Sequence, residues 1–192
     1  MRSNGFRRGI LINLAILLLL ALSGCSIFKP AFKGEVVEPA AAAPGINLPD
    51  QNGDAFELSG RQGKVVLLFF GFTNCVDECP LAMAHMKLAQ EMLGESAGDV
   101  QVVLVSTDPV RDTPAAMQAF LGKFDPSFIG IPGGTEQLAK VWNDYGVVVL
   151  DGGETHSSLI YAIDKAGKLR LRLDGGISPE DMASDLKILL AE

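Results

Sequence analysis

The sequence predicts an α/β domain with a central mixed β-sheet flanked by helices. Two short, continuous apolar runs, VVLLFF (65–70) and VQVVLVS (100–106), are typical of parallel strands covered on both faces. The segment between them, 80–94, has the apolar spacing of a helix. After residue 157 the pattern becomes that of a hairpin, whose second arm alternates polar and apolar residues.

The remaining elements follow in an order that completes this class. Pro80 and Gly94 suit the two ends of the first helix, which gives a βαβ unit with a right-handed crossover. The later segments are two helices in TPAAMQAFLGKF and EQLAKVWNDYG, the hairpin SLIYAID and KLRLRLDG, and a last helix in SPEDMASDLKILLAE. Thr113 and Ser178 are expected to cap two of these helices. This is the order of a thioredoxin-like fold, with an inserted strand and helix between 125 and 150.

The first 24 residues have the features of a lipoprotein signal peptide. Arg7 and Arg8 precede an apolar run of 13 residues, which is shorter than the roughly 20 that a membrane-spanning helix needs. The following LSGC resembles a bacterial lipobox, so Cys25 is the expected lipidated residue. An uncleaved membrane anchor is the alternative. Either interpretation predicts a cell-membrane location, facing the periplasm or another extracytoplasmic space.

Residues 25–49 are expected to form a lipidated start and a flexible tether, and 50–192 the folded domain. The tether is rich in Ala and Pro and has no amphipathic period; a flexible chain of this length spans roughly 25 Å. Without the signal peptide, 13 basic residues face 23 acidic ones. Nucleic acid is therefore not expected as a partner, because its binding depends on cationic contacts to phosphate.

The remaining cysteines, Cys75 and Cys79, form a CxxxC motif. Pro80 suggests that Cys79 caps the helix, with Cys75 in the loop at the carboxyl end of the central strand, where sites of open α/β sheets cluster. A helix N-terminus favours a thiolate and lowers its pKa. The pair could be a structural disulfide, a redox couple or two metal ligands. A disulfide here would close too short a loop to stabilise much, and CxxxC can separate its sulfurs far enough to hold a metal.

A metal site needs a third ligand, and the chain has two histidines. His85 lies six residues beyond Cys79 on the predicted helix, about 9 Å along its axis, and is expected to face away. His156 precedes the penultimate strand in the glycine-rich DGGETHSS, which a thioredoxin-like fold places beside the cysteine loop. Two thiolates and an imidazole match copper, whereas zinc normally takes a fourth ligand.

Three motifs resemble the Sco/SenC family of membrane-anchored copper proteins: FFGFTNCVDECPLAM, STDPVRDTPAAMQAF and THSSLIYAIDKAGKLR. The resemblance implies that Cys75, Cys79 and His156 bind Cu(I) or Cu(II). It also implies a metallochaperone that delivers copper to, or keeps reduced the thiols of, the dinuclear copper centre on cytochrome c oxidase subunit II. The family often has proline after the first cysteine, where this chain has Val76.

The alternative function is a thiol-disulfide oxidoreductase or peroxidase that uses Cys75 and Cys79. The CxxxC spacing argues against it, as does the lack of a proline before SLIYAI. We therefore expect a copper chaperone rather than an enzyme, with Cys75 and Cys79 able to form a redox-active disulfide that blocks metal binding. For Asp108 and Arg111, in DPVRDTP, we expect a structural or docking role.

Overall fold

The computed structural model describes residues 31–151 and 155–192, and for Thr155 and His156 it describes the backbone alone. Residues Phe32–Glu192 form one compact unit. The signal peptide and Cys25 lie outside the described residues, so both remain predictions. Within the described ranges, no helix has the length and hydrophobicity needed to cross a membrane.

A six-stranded mixed sheet organises this unit. Its order is β1-β10-β9-β4-β5-β6, with β4, β5 and β6 parallel and the other neighbours antiparallel. Two short hairpins, β2–β3 and β7–β8, lie outside it. The strands are β1 (Glu35–Ala42), β2 (Asn47–Pro49), β3 (Ala55–Glu57), β4 (Val65–Gly71), β5 (Val100–Ser106), β6 (Ile129–Ile131), β7 (Val149–Leu150), β8 (Thr155–His156), β9 (Leu159–Ile163) and β10 (Lys168–Asp174).

Helices cover both faces of the sheet. They are α1 (Glu78–Glu91), α2 (Pro114–Leu121), α3 (Thr135–Tyr145) and α4 (Pro179–Ala191), with two 3₁₀ turns at Leu58–Arg61 and Gly94–Asp99. Alternate side chains of β4 enter two separate cores, one shared with α1, α2 and α4 and the other with α3 and the β2–β3 hairpin. The Thr113 and Ser178 side chains accept backbone N–H bonds at their helix starts, as predicted.

This architecture confirms the predicted α/β, thioredoxin-like class. The segment between 125 and 150 supplies the expected extra strand and helix, β6 and α3. The apolar runs predicted to be parallel strands are β4 and β5, which pair in parallel from Val65 opposite Val100 to Gly71 opposite Ser106.

The structure differs from the sequence-based expectation over the tether. Glu35–Ala42 forms β1, an edge strand that pairs with β10. The backbone N–H groups of Lys33 and Gly34 donate to the buried carboxylate of Asp185 on α4, at 2.7 and 2.8 Å. The folded unit therefore begins at Phe32 rather than at residue 50. Seven of the eight β1 side chains are exposed, so this strand has no apolar alternation to reveal it.

Three loop segments meet at the edge of the sheet where β4 and β5 end. β4 ends beside the start of β9, with Phe69 opposite Ile160. The backbone N–H of Thr107, just after β5, donates to the Gly71 carbonyl at 2.9 Å. As a result, three segments meet at this edge: the cysteine loop (72–77), the second loop (107–113) and the segment that enters β9.

Candidate metal centre

Cys75 lies in a tight turn that follows β4. Its backbone N–H donates to the Phe72 carbonyl at 3.3 Å, which closes the turn. Helix α1 begins at Glu78, so Cys79 is its second residue rather than its cap. The sequence predicted a start at Pro80. The helix begins earlier because proline is tolerated throughout the first turn, where backbone N–H groups have no intrahelical partner.

The two cysteines are thiols with different environments. Cys75 is half-buried and accepts a hydrogen bond at its Sγ from the Cys79 backbone N–H, at 3.3 Å. Cys79 is fully buried in the core shared with α1. One thiol is therefore within reach of solvent or a partner, and the other is held inside the protein.

Burial raises the pKa of the Cys79 thiol well above its ordinary range, and the nearby Cys75 and Glu78 add to the shift. A backbone hydrogen bond involving Phe72 opposes it without reversing it. The expectation that the helix N-terminus lowers the pKa is thus wrong for Cys79, because desolvation outweighs the dipole. A bound cation would favour the thiolate, and metal binding would release its proton.

Gly71, the last residue of β4, makes room for the buried sulfur. A Cβ atom at this position would lie 2.9 Å from Cys79 Sγ and 2.9 Å from Cε1 of Phe69. Real Cβ atoms essentially never come this close to other heavy atoms. The glycine in FFGFTNC was the signal for this requirement, which sequence analysis did not identify.

The two histidines have different positions. His85 is half-buried on α1, with Nδ1 2.8 Å from the carbonyl oxygen of Ile177, so the ring joins α1 to the segment before α4. His156 pairs through its backbone with Val149 in the β7–β8 hairpin. Its side chain lies outside the described residues, and its role as the third ligand stays a prediction. Among the side chains that the structure does describe, no group of three or more His, Cys, Asp or Glu is arranged around a metal position.

A side-chain contact fastens the histidine segment to the start of α1. The Ser158 hydroxyl, two residues after His156, donates to the carboxylate of Glu78, the neighbour of Cys79. Glu78 therefore joins the two segments that carry the predicted ligands.

Asp112 is a further residue that sequence analysis missed. It is 3% exposed, and its carboxylate accepts three hydrogen bonds from neutral donors. Oδ1 accepts from the backbone N–H and the hydroxyl of Thr73, at 2.9 and 2.7 Å, and Oδ2 accepts from the Ser106 hydroxyl at 2.6 Å. Asp112 therefore ties the second loop to the cysteine loop.

The other charged residues of DPVRDTP support the same contact. Asp108 is buried and forms an ion pair with Arg111, whose backbone N–H it also binds at 3.1 Å. The Arg111 guanidinium carbon lies 5.8 Å from the centroid of the Phe72 ring, beside the cysteine turn. The second loop thus packs against the cysteine loop through both polar and aromatic contacts.

Each of these two loops also exposes a valine. Val76 is 85% exposed and Val110 is 84% exposed. Asp77 and Glu78, next to Val76, are exposed as well. Both loops therefore expose an apolar side chain, and the one in the cysteine loop is followed by two exposed acidic residues.

A family model described as SCO1/SenC matches residues 38–191, which include all of these segments. The chain belongs to the SCO1/SenC family. This confirms the resemblance that the three sequence motifs indicated.

Proteins of similar sequence and structure align with most of this chain. An SCO2-like protein of Rickettsia felis is 33% identical, over 97% of this chain and 98% of its own. The structure of Bradyrhizobium japonicum ScoI with copper bound is 36% identical, with a TM-score of 0.71, over 78% of this chain and 100% of its own. Arabidopsis thaliana ScoI, also with copper bound, is 25% identical, with a TM-score of 0.72, over 79% and 100%.

BsSco is described as a member of the Sco family of cytochrome c oxidase assembly proteins, and its structure as revealing a disulfide switch. It is 24% identical to this chain, with a TM-score of 0.67, over 81% of this chain and 98% of its own. At that identity the likeness supports the fold.

The described donor atoms fit a soft metal ion. One sulfur lies in the cysteine loop and the other in the first turn of α1, and the hydrogen bond from the Cys79 N–H to Cys75 Sγ brings the two residues together. Thiolates are ligands that Cu(I) prefers, and an imidazole suits either oxidation state of copper. The arrangement can therefore hold one copper ion, or close as a disulfide.

Proposed function

We propose that this protein binds one copper ion through Cys75, Cys79 and His156 and delivers it to the dinuclear copper centre of cytochrome c oxidase subunit II. The observation that carries this proposal is that the two cysteines lie together just beyond the carboxyl end of β4, where Cys75 Sγ lies 3.3 Å from the Cys79 backbone nitrogen. Copper-bound Sco structures with the same fold support the choice of metal.

The contact between Ser158 and Glu78 supports His156 as the third ligand. It holds a residue two positions from His156 against the residue that precedes Cys79. Two sulfurs alone would favour Cu(I), and an added imidazole would allow Cu(II) as well. The protein would then accept copper in either oxidation state.

The unequal exposure of the two sulfurs supports transfer to a partner. Half-buried Cys75 is the ligand that an incoming donor atom of the acceptor could replace first, while buried Cys79 keeps hold of the metal. Val76 and Val110 offer an apolar contact beside Cys75. Copper would pass by ligand exchange, without release to solvent.

Lipidation of Cys25 would keep this domain at the membrane that holds the oxidase, on its extracytoplasmic side. Because the folded unit begins at Phe32, seven residues after Cys25, the domain would work close to the membrane surface.

Copper competition with a chelator of known affinity tests the ligand set. We expect one Cu(I) or Cu(II) per reduced chain, loss of binding in Cys75→Ala and Cys79→Ala, and at least about tenfold weaker Cu(II) binding in His156→Ala, because a lost ligand costs more than about 1.4 kcal/mol. His85→Ala is the matched control and should bind as the parent does. Equal Cu(II) affinities for His156→Ala and His85→Ala would remove His156 from the site.

Thiol-disulfide exchange is the second candidate function, because a half-buried thiol beside a buried one suits an attacking and a resolving cysteine. The raised pKa of Cys79 works against it, since the thiolate is the nucleophile. We expect slow exchange, with oxidation of the pair acting to block copper uptake. Rapid turnover of a disulfide or peroxide by a chain that binds no copper would favour the enzyme instead.

A further inference from the structure

One buried carboxylate, that of Asp112, connects the cysteine loop to the second loop. Burying a charged group is costly unless it is hydrogen-bonded, and Asp112 meets this need with three donors. Two of them belong to Thr73, 39 residues away in the sequence. Bonds to a charged acceptor are stronger than neutral ones, so the two loops are expected to move as one body.

Thr73 passes this restraint to Cys75. It is the second residue of the turn that the Cys75 N–H closes on the Phe72 carbonyl. Because both the backbone N–H and the hydroxyl of Thr73 are held by Asp112, the path of the turn is fixed. The fixed turn places Cys75 Sγ where it accepts the N–H of Cys79, at 3.3 Å.

A carboxylate suits position 112 because the Ser106 hydroxyl acts there as a hydrogen-bond donor. This hydroxyl accepts a hydrogen bond from the Asp108 N–H at 3.0 Å and donates one to the carboxylate of Asp112. An Asn side chain can accept from Thr73 through its carbonyl oxygen, but it presents an NH₂ donor to Ser106. The replacement therefore changes one acceptor into a donor while keeping the shape of the side chain.

We propose that Asp112 is a positioning residue for the cysteine pair, one that holds Cys75 in the dithiol arrangement and disfavours closure of the Cys75–Cys79 disulfide. A disulfide requires the sulfurs to approach to about 2.05 Å with a dihedral angle near 90°. Closure would bring Cys75 Sγ from its contact with the Cys79 N–H to the buried Cys79 sulfur, and the restraint of the turn by Asp112 would resist this movement. The proposal deepens the proposed function, because copper can bind only to the dithiol.

The equilibrium between dithiol and disulfide, measured in metal-free buffer, tests this role. In the exchange, two glutathione thiols reduce the protein disulfide, giving two protein thiols and one glutathione disulfide, so that atoms and electrons balance. The full chain is equilibrated at a series of glutathione ratios, then alkylated and analysed by mass. For Asp112→Asn we expect an equilibrium constant for disulfide formation about tenfold higher, which is a reduction potential about 30 mV lower.

Two further variants make the result specific. Thr73→Val removes the hydroxyl donor to Asp112 but leaves the backbone N–H. Because one hydrogen bond is lost, we expect the equilibrium constant for disulfide formation to rise about threefold. If Asp112→Asn does not fold, this variant provides the test. Asp185→Asn is the matched control: it alters another buried carboxylate that accepts backbone N–H groups, but on α4, away from the cysteine loop. We expect it to leave the equilibrium constant at the parent value.

Two results would overturn the proposal. One is an equilibrium constant within twofold of the parent value in both Asp112→Asn and Thr73→Val. The other is an equal change of this constant in Asp185→Asn, which would mean that any loss of stability changes the equilibrium between dithiol and disulfide. Since no metal is present, a chain that failed to bind copper could still show the shift, and a chain that binds copper could lack it.

Discussion

At the scale of single residues, the site depends on residues other than the proposed ligands. Gly71, Asp112 and Glu78 each act on the position of a cysteine or of the segment that carries His156. The cysteine pair and His156 stand out in the sequence as candidate ligands, and their role as ligands stays a prediction. The restraints could not be predicted from the sequence, since their meaning depends on contacts such as that between Thr73 and Asp112, which the sequence separates by 39 residues.

Gly71→Ala should weaken copper binding by displacing the Cys79 sulfur. The new methyl group would lie 2.9 Å from Sγ, and relief of such overpacking costs about 1–3 kcal/mol of unfolding free energy. Gly130→Ala is the control, since its Cβ would meet Leu121 Cδ1 at the same 2.9 Å, away from the cysteines. Urea denaturation should show both variants destabilised, and chelator competition should show weaker Cu(I) binding for Gly71→Ala alone. Parent affinity in Gly71→Ala would mean that the sulfur need not sit where it does.

At the scale of secondary structure, burial decides which elements the sequence reveals. β4 and β5 were predicted because both of their faces are covered, so every position except Gln101 and Ser106 is apolar or glycine. β1 was missed because its side chains are exposed and only its backbone pairs, leaving an Ala- and Pro-rich strand that resembles a linker. The start of α1 was misplaced by two residues because the first helical turn makes no use of the N–H that proline lacks.

The anchoring of β1 by α4 gives a prediction at this scale. In Asp185→Asn, an NH₂ donor replaces one of the two oxygens that accept from Lys33 and Gly34, and the unpaired donor costs about 1–3 kcal/mol. Hydrogen exchange followed by mass spectrometry should show faster exchange in residues 35–42, with β4 unchanged. Uniform acceleration across the sheet, or none in β1, would show that Asp185 does not hold this strand by itself.

At the scale of the whole molecule, protons and folding are linked through Cys79, and the proposed copper site would add metal binding to this linkage. Folding raises the pKa of this thiol above its unfolded value, so the folded protein holds the proton more tightly than the unfolded chain. The stabilisation is fully present below the unfolded pKa of about 8.5 and is lost as pH rises above it. Copper bound at the proposed site would reverse the preference, because it binds the thiolate.

The unfolding free energy of the metal-free, reduced protein should therefore fall between pH 8.5 and 9.5, with a slope approaching about 1.4 kcal/mol per pH unit for one proton. Buried Tyr145 and Tyr161, whose pKa values are also raised by desolvation, extend the loss above pH 10, so the lower window isolates the thiol. Urea denaturation across this range checks the slope. Cys79→Ser should flatten it, whereas Cys75→Ser, which keeps the buried thiol, should retain it. A slope that survives in Cys79→Ser would place the titrating group elsewhere. The copper-loaded protein should lack the decline, since its thiolate has already given up the proton.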